Sequence, residues 1–274
     1  MTINCKGQLI DLTIPKVMGI LNITPDSFYD GGKFKSDIDF LRQTEKMLIE
    51  GATFIDVGAA SSKPSAKIIS EEEELQRIIP IVDVILKNFP ETLISIDTYR
   101  SKIAENCIAN GAVMINDISA GSLDEKMMQT VAKLRVPYIM MHMKGTPQTM
   151  QSFANYNNIV KEMLFYFSEK LAIARSFGIV DLIVDPGFGF AKTTNHNFEI
   201  LRNLELFKLL EVPFLVGVSR KSMIYKTLET TAEHALNGTS VLNTIALTKD
   251  ANILRVHDVK EAVECVKLLE NLKI

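Results

Sequence analysis

Arg255 and His257 lie two residues apart at the end of an apolar run, so strand alternation turns both side chains to one face and Leu254 and Val256 to the other. A guanidinium beside an imidazole makes an anion grip, because the planar fork of Arg meets two phosphate oxygens at once. A salt bridge at a solvated strand end is the plainer reading of the same pair. Asp97, Asn116 and Asp185 each follow a strongly apolar run, at 93–96, 112–115 and 182–184. A carboxylate carried into apolar surroundings needs donors or a cation. Three roles stay open for this trio: gripping a ligand edge rich in N–H donors, binding a divalent metal through oxygen, or capping turns, the role expected of the neighbouring Asp117. Ser219-Arg220-Lys221-Ser222 follows the run 214–218 where a helix begins. Backbone N–H groups and a hydroxyl there suit a carboxylate or phosphate, and Lys221 suits a ligand heteroatom; an N-cap with solvated charges is the alternative. Gly187-Phe188-Gly189-Phe190 follows Asp185-Pro186, with glycines for an unusual turn and two phenylalanines placed to wall an aromatic ligand. His142 stands alone between two methionines and reads as a packed barrel residue. No His-x-His or His-Glu-x-x-His pairing exists for a hydrolytic zinc.

These residues share one kind of address. Eight apolar runs, from Val17-Met18-Gly19-Ile20-Leu21 before Asn22 to Ile253-Leu254 before Arg255, each end in polar residues and precede a helical stretch. Such runs read as buried parallel strands. Eight of them predict a single α/β domain over residues 1–274, a (β/α)8 TIM barrel whose chemistry sits at the C-terminal strand ends. A short N-terminal hairpin over 2–14, turned at Lys6-Gly7, is expected to plug or flank the barrel floor. Ser70 with Glu73 and Asp258 with Glu261 read as helix starts. Pro80 should kink or interrupt the second barrel helix, and Gly111 and Gly178 sit where C-terminal caps are wanted. The stretches 24–36, 59–69, 144–154 and 186–196 are long and follow strands, which marks them as functional loops.

Length and composition agree. The 274 residues approach the ~250 typical of one such barrel. A net charge of −3 without a dense basic patch gives no footprint for nucleic acid. Three isolated cysteines, Cys5, Cys107 and Cys265, form neither a disulfide framework nor a metal site. No apolar run approaches the ~20 residues of a membrane span, and polar residues from Thr2 to Asp11 break up any signal peptide. A cytoplasmic protein without membrane partners is expected.

Longer motifs resemble one family. Met18-Gly19-Ile20-Leu21-Asn22-Ile23-Thr24-Pro25-Asp26-Ser27-Phe28 is similar to the opening signature of the dihydropteroate synthases. So are Ser95-Ile96-Asp97-Thr98, Ile115-Asn116-Asp117, Met141-His142-Met143-Lys144-Gly145-Thr146-Pro147, Asp185-Pro186-Gly187-Phe188-Gly189-Phe190, Val216-Gly217-Val218-Ser219-Arg220-Lys221-Ser222 and Arg255-Val256-His257-Asp258. The resemblance implies a folate-biosynthesis transferase that condenses 6-hydroxymethyl-7,8-dihydropterin pyrophosphate with para-aminobenzoate, releasing pyrophosphate. It implies that Asp97, Asn116, Asp185 and Lys221 hold the pterin, with Met140 packed on its ring. Asn22, Arg255 and His257 would take the pyrophosphate, Asn22 through Mg2+. Ser222 would receive the benzoate carboxylate, and Phe190 with Phe28, Ser62, Lys63 and Pro64 would wall the benzoate pocket. Asp97, Lys221, Arg255 and His257 are the implied catalytic set. A homodimer and competition by sulfonamides are further implications. Ser62-Lys63 stands where the family usually shows Thr-Arg, keeping a hydroxyl and a charge but not the bidentate fork. Tyr29 stands where a small residue is common. A non-catalytic pterin-binding paralogue and the pterin domain of a methyltransferase are the competing readings.

Overall fold

The computed structural model describes residues 1–23, 37–61 and 68–272. The chain opens with the expected hairpin, in which β1 (Thr2–Cys5) pairs antiparallel with β2 (Gln8–Asp11). Eight parallel strands follow: β3 (Lys16–Asn22), β4 (Phe54–Gly58), β5 (Leu93–Asp97), β6 (Met114–Asp117), β7 (Tyr138–Met141), β8 (Leu182–Asp185), β9 (Leu215–Val216) and β10 (Ile253–Val256). Their hydrogen-bonded order is β8-β7-β6-β5-β4-β3-β10-β9, and a parallel bridge from Val184 to Phe214 joins the two ends into a barrel. The described helices are α1 (Asp37–Ile49), α2 (Glu71–Asn88), α3 (Ser101–Ala109), α4 (Met127–Leu134), α5 (Ile159–Ser176), α6 (Thr194–Arg202), α7 (Ser222–Thr227), α8 (Leu236–Thr248) and α9 (Val259–Glu270).

Strand parity sorts the side chains. Met18, Phe54, Met114, Ile139, Ile183 and Ile253 point inward low in the barrel and pack with Ile3, Cys5, Ile10 and Leu12, so the hairpin plugs the floor. The alternate set, including Leu21, Val57, Ile96, Met140, Val184 and Leu254, faces the helices in a larger cluster. One step above the floor the inward positions are Asp56, Ser95, Asn116, Met141, Asp185 and Arg255, among others; the next step holds Asn22, Asp97 and His257. Polar residues on this parity therefore collect at the C-terminal mouth.

Local signals hold with two exceptions. Ser70 caps α2 by accepting from Glu73 N at 3.1 Å, and Gly111 and Gly178 take positive φ past α3 and α5. Pro80 does not interrupt α2, which continues to Asn88. Both Pro80 and Gln76, whose carbonyl loses its helical donor, are exposed, so the lost bond falls on the solvent side of the helix. Asp258 stands at the N-cap of α9, yet its side chain makes no cap bond; Arg220 takes both of its oxygens instead, at 2.7 and 2.8 Å.

Candidate active site

Arg255 rises inward from β10 and lies between two carboxylates. Its Nε donates to Asp56 Oδ2 and its Nη2 to Asp97 Oδ2, both at 2.6 Å. Asp56 Oδ2 also accepts from Asn116 Nδ2 at 2.9 Å. A carboxylate only accepts, so this bond turns the amide nitrogen of Asn116 toward Asp56 and its oxygen away. Asp185 Oδ1 accepts from Gly187 N at 2.7 Å. Among the described residues no protein donor reaches Asp97 Oδ1, Asn116 Oδ1 or Asp185 Oδ2, which leaves three acceptors for a ligand rich in N–H groups.

The other wall comes from the segments after β8 and β9. Lys221 Nζ donates to the Phe188 carbonyl and stands 5.2 Å from the centre of the Phe190 ring. It is delivered by Arg220, which takes the left-handed conformation at φ 53°. Arg220 is held there by Asp258 and by the carbonyls of Ala232 and Glu233. A Cβ placed on Gly217 would lie 3.8 Å from both Lys221 Nζ and Arg255 Cβ, so the ammonium stands beside the base of the Arg255 side chain. Ser219 Oγ pairs with His257 Nδ1 at 3.0 Å and accepts from His257 N at 3.2 Å. Ser222 opens α7, half-buried beside Lys221. Asn22 ends β3, also half-buried, and its neutral amide oxygen is a donor of the type a hard cation accepts.

Three carboxylates, Asp56, Asp97 and Asp185, thus face two cations, Arg255 and Lys221. Burial pushes the Asp97 carboxyl up to about 7, against the pull of Arg255 and with the help of Asp56. Burial also raises Asp185, partly offset by Lys221. Lys221 is brought down to about 8 by burial, with Asp185 opposing and Arg255 assisting. Burial would lower Arg255, but Asp56 and Asp97 outweigh it and keep the guanidinium charged. Burial and then Arg255 bring His257 down to about 4, so its imidazole is neutral at neutral pH and serves as a hydrogen-bonding group rather than the cation expected beside Arg255.

Arg255, His257, Asp97, Asn116, Asp185 and Lys221 therefore meet at the mouth, with Asn22, Ser222 and Phe190 on strand ends and loops around it. Arg255 sits in a double ion pair, not at a solvated surface. Asp117 is the expected structural residue, accepting from Ser119, Gly121 and Tyr138. Two expectations fail. Met140 faces outward into the helix-side cluster and cannot pack on a ligand in the barrel; the inward residue is Met141, grouped with Ile118, Met143 and Phe190. Phe188 is likewise buried on the helix side, so of the two phenylalanines only Phe190 walls the mouth. Phe28, Ser62, Lys63 and Pro64 lie outside the described residues. Asp56 and Lys192 went unread in the sequence. Asp56 sits inside its apolar run rather than at the end, and the signal was a lone carboxylate on the inward parity. Lys192 is buried against the carbonyls of His142, Gly187 and Phe190 and against His142 Nδ1.

Comparison with known proteins adds a family. The family described as pterin binding enzyme matches residues 18–257. The chain is 42% identical over 272 residues to the dihydropteroate synthase of Escherichia coli (strain K12), covering 98% of this chain and 96% of that one. It is 40% identical over 270 residues to that of Haemophilus influenzae, covering 98% of each. Among solved structures, the Yersinia pestis dihydropteroate synthase with a sulfonamide drug complex superposes with a TM-score of 0.96 at 37% identity, covering 100% of this chain and 99% of that chain. The Xanthomonas albilineans dihydropteroate synthase with 4-aminobenzoic acid gives a TM-score of 0.91 at 34% identity, covering 99% and 98%.

Proposed function

The chain belongs to the dihydropteroate synthase family of pterin-binding enzymes, and from that membership we propose how its own residues carry the family's reaction. It is a transferase that joins 6-hydroxymethyl-7,8-dihydropterin pyrophosphate to para-aminobenzoate, forming 7,8-dihydropteroate and pyrophosphate. The observation that carries the residue assignment is the direct bond from Arg255 to Asp97, which puts an anion grip and a set of heterocycle acceptors in one cavity.

In our assignment Asp97, Asn116 and Asp185 accept from the amino and ring N–H groups of the pterin, which satisfies buried acceptors that are otherwise costly. Met141 packs on the ring in place of Met140. Lys221 approaches a ring heteroatom under Phe190. Arg255 and neutral His257 take the pyrophosphate, and Ser222 receives the benzoate carboxylate. Asn22 offers one oxygen to Mg2+, which fits an ion that takes few protein oxygens and the rest from phosphates and water. Bound there, Mg2+ would neutralise charge on the pyrophosphate. Para-aminobenzoate is a weak nucleophile, so the C–O bond to pyrophosphate breaks first and its electron pair leaves with the pyrophosphate. Asp97 faces the resulting pterin cation. The amine lone pair then forms the C–N bond, and the amine passes its extra proton to the released pyrophosphate. Arg255 acts where the departing charge develops.

Two broader features belong to the same proposal. A homodimer is part of this reading through the family resemblance. A cytoplasmic setting is proposed from the three free cysteines; among the described residues no helix is long and apolar enough to cross a membrane. Pyrophosphate release on mixing both substrates tests the residue assignment. Arg255→Ala should lower kcat by about 10²–10³-fold, the loss typical of a group that stabilises developing charge. An unchanged kcat would remove Arg255 from the anion site.

A further inference from the structure

Asp56 occupies an inward position of β4 and is fully enclosed, so no substrate touches it. Its Oδ2 nevertheless accepts from both arms of the site, from Arg255 Nε at 2.6 Å and from Asn116 Nδ2 at 2.9 Å. Among the described residues its Oδ1 has no hydrogen-bond partner, and neither does Oγ of Ser95, its register partner on β5. Stability gives little reason for such a group, since a buried carboxylate with an idle oxygen compares poorly with an apolar side chain of its size. Orientation does give a reason. Pinning Nε to Asp56 and Nη2 to Asp97 fixes both the plane and the rotation of the guanidinium, and among the described residues nothing accepts from Nη1, which leaves that edge for an anion. The bond from Asn116 fixes which end of its amide faces the mouth.

We propose that Asp56 is the positioning residue of this active site, holding Arg255 and Asn116 in the mutual register in which a pyrophosphate and a pterin are bound together. The identity of those ligands rests on the dihydropteroate synthase reading; the geometry of Asp56 does not.

Asp56→Asn keeps the volume and removes the charge. It should lower kcat on the order of 10- to 100-fold, as misplacement of a reacting group does, while KM for para-aminobenzoate moves less than about twofold. Binding of inorganic pyrophosphate, measured by calorimetry, should weaken in Asp56→Asn but show no further loss when Asp56→Asn is added to Arg255→Ala. Equal losses in both backgrounds would overturn the proposal, because Asp56 would then not act through Arg255. The unsubstituted protein gives a reading that needs no stable Asp56 variant. An Arg255 Nε–H bonded to an enclosed carboxylate should give a downfield, slowly exchanging 15N–1H resonance, assigned by its absence in Arg255→Ala. Rapid exchange at that position would also overturn the proposal. Failure of the unsubstituted enzyme to release pyrophosphate would sink the functional reading while leaving this substrate-free resonance intact.

Discussion

Asp97 is where the charge balance of the mouth becomes measurable. Burial raises Asp97 to about 7 despite the pull of Arg255, and the nearby Asp56 assists. A pterin that donates to Asp97 needs the ionised form. The value of kcat/KM for the pterin substrate should therefore fall by about tenfold per pH unit on the acid side of this pKa. The ligand-free protein should show the opposite sign in stability. A raised carboxyl contributes stability that is complete below its ordinary value of 3.8 and is lost as pH rises through about 7. Asp97→Asn should flatten the acid limb at a lower plateau; a pH–rate profile whose limb survives unchanged in that variant would assign the proton elsewhere. Asp97, Asn116, Asp185 and Arg255 were legible in the sequence because each terminates an apolar run. Asp56 was not, because it interrupts one. The resemblance placed Met140 on the ring, whereas the inward residue is Met141; the two positions carry the same side chain and only strand register tells them apart. Tyr138, Met140 and His142 share the outward parity, and that alternation was the available clue.

The segment between β8 and α6 is held by side chains rather than by ladder bonds. Asp185 Oδ1 accepts from Gly187 N, Asn197 Oδ1 from Gly189 N, and Lys192 Nζ reaches the carbonyls of His142, Gly187 and Phe190 at 3.2, 3.0 and 2.9 Å. Gly187 is required here: at φ +68° a Cβ would stand 2.4 Å from the His142 carbonyl oxygen. His142 is pushed down to about 2 by burial and then by Lys192, so it is neutral and accepts through Nδ1. Lys192→Met should strip several buried carbonyls of their donor and lower stability by about 3 kcal/mol. It should also raise KM for the pterin substrate, because the Phe188 carbonyl that steadies Lys221 and the Phe190 ring lie on the loosened segment. Denaturant unfolding and steady-state kinetics check the two effects; a destabilised variant with unchanged KM would confine Lys192 to folding. The sequence marked this segment as functional from its length and glycines. It did not disclose the tether, since a lysine in a polar loop reads as solvated until the fold encloses it. Asp258 misled for a related reason: its position says cap, while its oxygens serve Arg220 from another loop.

Across the whole molecule, chemistry and stability occupy opposite ends of the barrel. Polar inward residues collect at the C-terminal mouth, and apolar inward residues at the N-terminal floor close over the hairpin. The barrel was legible because parallel strands buried on both faces must read as unbroken apolar runs, and eight such runs with intervening helices leave few other closures. The hairpin's place at the floor was legible too, but only as a choice between plugging and flanking it; packing of Ile3, Cys5, Ile10 and Leu12 on the inward strand residues makes it a plug. The division of labour makes a prediction. Leu12 is fully buried at the floor, packed with Ile3, Met18 and their neighbours, below the polar layer that carries Arg255. Leu12→Ala should lower stability by about 2–5 kcal/mol, the usual range for emptying such a site. Assayed well below its unfolding temperature, the same variant should keep its kcat and KM, because the strands between floor and mouth are tied to both neighbours and do not transmit a lost methyl contact. Paired measurement of unfolding free energy and turnover decides it. A loss of kcat in parallel with stability would mean that the floor sets the register of Asp56 and Arg255, and that the two ends of this barrel are mechanically coupled.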